Sequence, residues 1–257
     1  MKKTIYYENE LTDEFSTAKL KAKIIDESYV YCKAGALARI KHFFLYRIVA
    51  MPLAFLYTKI RFKHRTVGED KLKGVCGYFL YGNHTQILAD PLIPNMIDKS
   101  RDKYVVVHPS NMSIPLIGRP LVSLGALPLP EGITATRNFS DAIKLRLSEG
   151  AAIVIYPEAH IWPYYTKIRP FTDSSFFYPI KYGLPVFTFT NVYKKRRLSK
   201  RPKIVTYVDG PFYADEALPL AAARKKLRDE AYGAMCKRAA ESDCEYIKYV
   251  KKEKNNG

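Results

Sequence analysis

Six short runs dense in β-branched and aromatic residues recur along the chain with room for helices between them. That alternation restricts the fold more than any other feature of the sequence. The runs are VCGYFLYG (75–82), KYVVVH (103–108), LVSLGALPL (121–129), AAIVIYP (151–157), LPVFTFTNVY (184–193) and KIVTYVDGPF (203–212). Between them, PLIPNMIDK and NFSDAIKLRLSEG read as helices, the second closed by Gly150. The pattern predicts an α/β fold: a single mixed, largely parallel sheet flanked by helices, with an N-terminal interfacial membrane helix.

No Pro/Gly/Ser-rich linker divides the 257 residues, so one globular domain with terminal extensions is expected. The boundaries fall at an N-terminal extension (1–35), a membrane-interface helix (36–60), an α/β core (61–215) and a C-terminal region (216–257). The alanine- and charge-rich stretch from Glu216 to Lys252 reads as helical throughout. An apolar fraction of 47% with 13% aromatics supports a large core and excludes a wholly disordered chain. The net charge of +17 points to anionic partners: acidic lipid, nucleic acid or phosphate-bearing molecules. Cys32, Cys76, Cys236 and Cys244 show neither a C-x-x-C pair nor framework spacing, so disulfides and a zinc site are not expected and a reducing cytoplasm fits. The N-terminus carries basic residues without an apolar run behind them, unlike a secretory signal.

Residues 36–60, ALARIKHFFLYRIVAMPLAFLYTKI, are the most lipophilic stretch, but the longest charge-free run, Ile48 to Thr58, falls short of the roughly 20 residues a spanning helix needs. Aromatics interleaved with Arg39, Lys41, Arg47, Lys59 and Arg61 suggest a helix lying in the membrane interface, Arg47 and Lys59 close to anionic headgroups. A core helix kinked at Pro52 is the alternative.

In LYGNHTQILADP (80–91) a histidine follows an apolar strand and Asp90 stands six positions beyond it. Asp90-Pro91 reads as a helix start, aspartate as cap and proline at the first helical position, which leaves His84 in the preceding loop. Along a continuous helix six residues would leave the two side chains about 120° apart, whereas in a loop they can meet. A histidine at the carboxyl end of a strand sits in the crevice where open α/β sheets bind ligands, and a carboxylate partner would make it a general base. The competing reading has Asp90 only capping the helix.

A second polar cluster, Glu158, His160, Lys167 and Arg169, follows the strand ending at Pro157. Glu158 could orient substrate and Arg169 could hold a phosphate in a fork; a plain Glu-Arg ion pair is as natural. KKRRLSKRPK (194–203), between two predicted strands, reads as a projecting basic loop. Lys194, Lys195, Arg196 and Arg197 there are candidates for a bilayer, coenzyme A phosphates or an acidic carrier protein. No G-x-S-x-G elbow, P-loop, G-x-G-x-x-G or H-E-x-x-H is present, so a histidine base would act directly on a substrate hydroxyl. His42, His64 and His108 read as ordinary core or surface histidines.

Taken in order, these blocks resemble the glycerolipid acyltransferases, the lysophosphatidate (1-acylglycerol-3-phosphate) O-acyltransferases and their relatives, over roughly residues 60–210. The family's Asn-His-four residues-Asp block appears as Asn83-His84, five residues, then Asp90. GALPLPEG has Pro130 where an arginine is expected. The Phe-Pro-Glu-Gly-Thr-Arg block is Tyr156-Pro157-Glu158-Ala159-His160-Ile161, and the apolar Pro-containing strand is Leu184-Pro185-Val186-Phe187.

The resemblance implies an O-acyltransferase that uses acyl-CoA or acyl carrier protein as donor substrate, with no bound cofactor and no metal. His84 and Asp90 would be the catalytic pair, and Asn83, Glu158, Lys167 and Arg169 would bind substrate. It also implies phospholipid biosynthesis at the cytoplasmic face of the membrane, on a lysophospholipid-type acceptor. The two absent arginines leave an uncharged, zwitterionic or glycosylated acceptor open. A non-catalytic lipid-binding relative and a basic nucleic-acid-binding protein are the rivals; no nucleic-acid module is recognisable and nucleic acid is not the expected partner.

Overall fold

A computed structural model of the chain describes residues 3–15, 20–32, 35–116 and 118–252. A seven-stranded sheet dominates. In chain order its surroundings begin with β1 (Lys3–Tyr7) and a continuous helix of 27 residues, Ala36–Phe62. That helix comprises α1 (Ala36–Phe43), a π-helical segment (Phe44–Ala50) and α2 (Met51–Phe62). The π turn has a local cause: Pro52 supplies no N–H to the turn before it, and the Met51 N–H bonds back five residues to the Tyr46 carbonyl. Pro52 is thus absorbed by one wide turn.

Then follow β2 (Arg65–Val67), β3 (Tyr78–Gly82), α3 (Pro94–Ile97), β4 (Lys103–Val107), α4 (Gly118–Leu121), β5 (Ala126–Pro128), α5 (Ile133–Ser148), β6 (Ala152–Ile155), α6 (Phe177–Tyr182), β7 (Val186–Arg196), β8 (Ser199–Phe212), α7 (Leu220–Ala239) and β9 (Ile247–Lys251). The main sheet runs β2-β8-β7-β3-β6-β4-β5, parallel except for the β7–β8 hairpin. This is the mixed, largely parallel α/β sheet that the sequence pattern predicts.

β3 is the central strand and is buried along its whole length. Its side chains alternate between two cores. Phe79 and Tyr81 join Ile153, Ile155, the α5 stripe Phe139, Ala142, Ile143 and Leu147, and the α7 stripe Leu227, Ala231 and Met235. Tyr78 and Leu80 join Val154, Phe187, Phe189, Phe62 of α2 and Ile93. Helices therefore cover both faces, which is why the central strands read as unbroken apolar runs. Gly150 lies just beyond α5 at φ +80°, as the sequence predicts for its closing residue.

Three boundaries differ from expectation. LVSLGALPL contributes only β5. Gly125 turns the chain at φ +88°, with the Lys103 carbonyl where a Cβ would sit, and the residues before it form helical turns. The basic stretch at 194–203 is no loop: β7 and β8 extend through it to a two-residue turn at Arg197–Leu198, because long paired strands satisfy the backbone that a projecting loop would leave to water. The C-terminal region is helical only to Ala239. Ile247 to Lys251 become β9 instead, which pairs in parallel with β1 from Lys3↔Ile247 to Tyr7↔Lys251.

The long helix buries one stripe, Tyr46, Ala54, Thr58 and Phe62, and exposes most of the rest, including Leu37, Ile40, Phe43, Phe44, Leu53, Leu56 and Ile60. Only 17% of its most apolar window is buried, and by length and composition it could cross a membrane, where the sequence reading fell short of that length. The charge that interrupts the apolar run is turned inward. Arg47, expected near headgroups, pairs with Asp102 at 2.6 Å and donates to the Ser100 carbonyl at 3.1 Å. Asp102 also holds His42, at 3.0 Å.

Candidate active site

β3 must end close to β7, and Gly82 makes this possible: a Cβ there would meet the Phe189 ring at 2.1 Å. The next residue locks the end of the strand. The buried Asn83 amide accepts from the Asn191 N–H at 2.8 Å and donates to the Asn191 carbonyl at 3.1 Å, so Asn83 is a strand-end clamp and not a substrate contact. The chain leaves the sheet at His84.

The five residues between His84 and Asp90 form a turn closed by the Asp90 N–H on the Gln86 carbonyl at 3.0 Å. That turn brings His84 Nδ1 to 2.8 Å from Asp90 Oδ2. The same Oδ2 accepts from the Thr85 N–H at 2.7 Å and the Gln86 N–H at 2.8 Å. Asp90 therefore caps the turn behind it and not a helix ahead of it. α3 begins only at Pro94, without a side-chain cap, because the carboxylate faces back toward the histidine. Burial raises the Asp90 carboxyl pKa, and the bonds from His84, Gln86 and Thr85 oppose that shift. Its Oδ1 is buried without a hydrogen-bond partner.

The imidazole is fixed in orientation as well as position. Its ring stacks on Tyr156, with centroids 4.5 Å apart and planes at 21°, and Tyr156 in turn meets the Phe189 ring edge-on at 5.6 Å. The Tyr156 hydroxyl donates to the Asp90 carbonyl. On the other side of the loop Tyr193 holds Thr85 Oγ1 at 2.8 Å and receives the Gln86 side-chain amide at 2.9 Å. With Nδ1 donating to the carboxylate, the neutral ring carries its lone pair on Nε2. No group among the described residues bonds Nε2, and the His84 side chain is 18% exposed while Asp90 is fully buried. One basic nitrogen thus faces outward from a rigid cradle.

Glu158 follows β6, the strand beside β3, and is buried. Its Oε2 accepts from the His84 backbone N–H at 3.4 Å and its Oε1 from the Arg169 N–H at 3.3 Å, while the Arg169 Nε lies 3.5 Å from Oε2. Burial pushes the Glu158 carboxyl up to about 7 against the pull of Arg169, and burial lowers the Arg169 pKa. Arg169 has no exposed side-chain surface. It donates to the carbonyls of Glu10, Glu158 and His160 and lies over the Trp162 ring, 5.0 Å from its centroid. The pair is therefore the internal ion pair that the sequence allowed as its plainer reading. Arg169 has no free donor face for a phosphate, and Glu158 braces the His84 backbone. Lys167 is exposed and stands outside this network.

Of the basic candidates, Lys59 donates to the His64 carbonyl at 2.7 Å, Lys194 to the Glu241 carbonyl and Arg196 to the Arg61 carbonyl at 2.6 Å. Lys195 and Arg197 are exposed near the hairpin tip. Sequence reasoning did not single out Tyr193, Gln86, Asn191 or Phe189. Nothing in their local sequence marks them, because each acts across a sequence separation that only the sheet closes. Among the described residues no cluster of three or more His, Cys, Asp or Glu could hold a metal ion.

No protein-family model matches the chain, and no curated protein matches its sequence. Its fold is similar to the crystal structure of the 1-acyl-sn-glycerophosphate (LPA) acyltransferase PlsC from Thermotoga maritima. The two share 15% sequence identity with a TM-score of 0.51 over 77% of this chain and 86% of that one. That likeness shows a shared fold.

Proposed function

We propose that this chain is a membrane-associated acyltransferase that moves a fatty acyl group from a thioester donor, acyl-CoA or acyl carrier protein, to a lipid hydroxyl. The observation that carries the reading is the His84 Nδ1–Asp90 Oδ2 contact of 2.8 Å at the carboxyl end of the central strand, with Nε2 facing outward. The fold's likeness to a lysophosphatidate acyltransferase supports it.

In this reading Nε2 takes the proton of the acceptor hydroxyl as its oxygen attacks the thioester carbonyl. Asp90 stabilises the imidazolium. Collapse of the tetrahedral adduct expels the thiolate, which recovers the proton from His84, leaving an ester and a free thiol. No protein nucleophile is required. Because Arg169 is committed internally and Pro130 replaces the expected arginine, the site favours an acceptor that does not depend on a phosphate monoester held there.

The long helix supports docking at a membrane surface, which this reading puts at the cytoplasmic face. Its buried stripe binds it lengthwise to the α/β domain, leaving the apolar remainder to lie in the interface.

The test supplies the purified protein with labelled acyl-CoA or acyl carrier protein and a membrane lipid extract. Wild type should label a lipid, and His84→Ala should keep its fold and vesicle binding but lose transfer. Transfer at the wild-type rate by the folded variant would end the base assignment.

A further inference from the structure

Several arginines of this chain have carboxylate partners. Arg47 pairs with Asp102, Arg146 with Glu149, Arg224 with Asp173 and Arg238 with Asp209. One cluster of neighbouring arginines lies partly buried without such partners. Arg61 on the last turn of α2 and Arg196 at the end of β7 are joined through the Arg196 Nη2–Arg61 carbonyl bond, and Arg201 stands across the hairpin. Among the described residues no carboxylate pairs with any of the three. Arg61 Nη1 and Arg196 Nε are buried with no hydrogen-bond partner at all. Burial lowers the Arg196 pKa, and the neighbouring Arg61 and Arg201 charges lower it further. Partly buried guanidinium groups that repel one another and lack a counter-charge are costly unless an anion joins them.

The cluster is tied to the catalytic loop by Tyr164. Its N–H donates to the Thr85 carbonyl at 3.0 Å, and its hydroxyl accepts from Arg61 Nη2 at 3.1 Å. From Asn191, which clamps Asn83, to Arg196 β7 runs five residues, about 16 Å of strand. The arginines therefore lie between one tyrosine length and five strand residues from the histidine's loop. The longer of these separations exceeds the reach of a lysophosphatidate phosphate, which only a short glycerol fragment separates from the reacting hydroxyl. It suits a phosphate at the far end of an extended pantetheine arm whose thioester reaches His84.

We propose that Arg61 and Arg196, with Arg201 at the rim, form the anion site for the phosphate end of the pantetheine-linked acyl donor. The proposal rests on the acyl-transfer reading but concerns binding alone, so it is tested without turnover. Coenzyme A, 4′-phosphopantetheine and unphosphorylated pantetheine are titrated calorimetrically into the detergent-solubilised full chain, and into Arg61→Gln, Arg196→Lys and Arg201→Gln variants whose melting matches wild type.

The expected result is that coenzyme A binds wild type more tightly than pantetheine does and weakens by about 10- to 100-fold in Arg61→Gln, the loss of one charge-assisted partner. Pantetheine should be unaffected. A parallel loss for 4′-phosphopantetheine places the arm's own phosphate at the site, whereas a loss confined to coenzyme A places the nucleotide phosphates there. Equal coenzyme A affinity in wild type and Arg61→Gln overturns the proposal. So does a variant that instead loses affinity only for 1-acylglycerol 3-phosphate micelles. His84→Ala should bind coenzyme A as wild type does. If that variant proves active, the base assignment fails while the anion site stands.

Discussion

Replacing Asp90 by asparagine separates the electrostatic part of the dyad from its geometry. The Thr85 and Gln86 N–H groups, at 2.7 and 2.8 Å from Oδ2, require an oxygen at that position, so the asparagine carbonyl must take it and the amide nitrogen must take the place of Oδ1. His84 Nδ1 then keeps an acceptor and the ring keeps its tautomer. What disappears is the negative charge beside the imidazolium. At about 4 Å and an effective dielectric of about 20, that attraction is worth roughly 4 kcal/mol, a factor of about 10³ in rate. The cost in stability is smaller. The new NH₂ finds no acceptor where Oδ1 has no partner, about 1–3 kcal/mol, offset in part because a buried carboxylate no longer has to be desolvated. Asp90→Ala removes the acceptor of two backbone donors as well and should cost about 2–6 kcal/mol in stability. The assay pairs acyl transfer from labelled acyl-CoA with denaturant unfolding of each variant. An Asp90→Asn protein within tenfold of wild-type activity would refute the reasoning, since His84 would then be working without its carboxylate.

The other expectations concern the ion pair and the helix. Because burial holds the Glu158 carboxyl up to about 7 against an ordinary 4.5, the folded state keeps a proton that the unfolded chain has already released. Its contribution to stability is therefore greatest below about pH 4.5 and declines as pH rises to 7. Chemical denaturation across that window should show the decline in wild type and a flatter profile in Glu158→Gln; identical profiles would contradict the assignment. Leu53→Lys with Leu56→Lys, both on the exposed face of α2, should leave melting unchanged and weaken vesicle association at least tenfold, read by co-flotation. Unchanged flotation would remove the helix from the membrane contact.

The fold was legible where the sequence carried local periodicity. The buried central strands, α5 with its closing Gly150, and the apolar helix all announce themselves within a window of a few residues. The histidine–aspartate contact was legible for a similar reason, since both residues belong to one loop and only its turn had to be inferred. What stayed hidden depends on distant pairing. Glu158 and Arg169 carried the right residue types for a substrate site. Which way Arg169 faces was decided by Glu10, in a distant segment of the chain, and by Trp162, in its own loop. Asp90-Pro91 looked like a helix start because the dipeptide usually is one, yet here the donors of the preceding turn had the stronger claim on the carboxylate. Arg47, placed by sequence against headgroups, was claimed by Asp102 more than fifty residues away.

The small β1–β9 sheet joins Lys3–Tyr7 to Ile247–Lys251, the two ends of the described chain. Trp162, from the loop that carries Glu158, packs between them: Tyr7 lies 4.8 Å and Tyr249 5.1 Å from its ring, and its indole N–H donates to the Asp13 carbonyl at 2.8 Å. During synthesis the N-terminal strand must wait, unpaired, until the last strand has emerged. The Trp162 end of the loop that carries Glu158 thus gains its Tyr249 contact only once β9 is in place. A pairing across so large a sequence separation is slow to close, and it makes the packing around Trp162 a late step of folding.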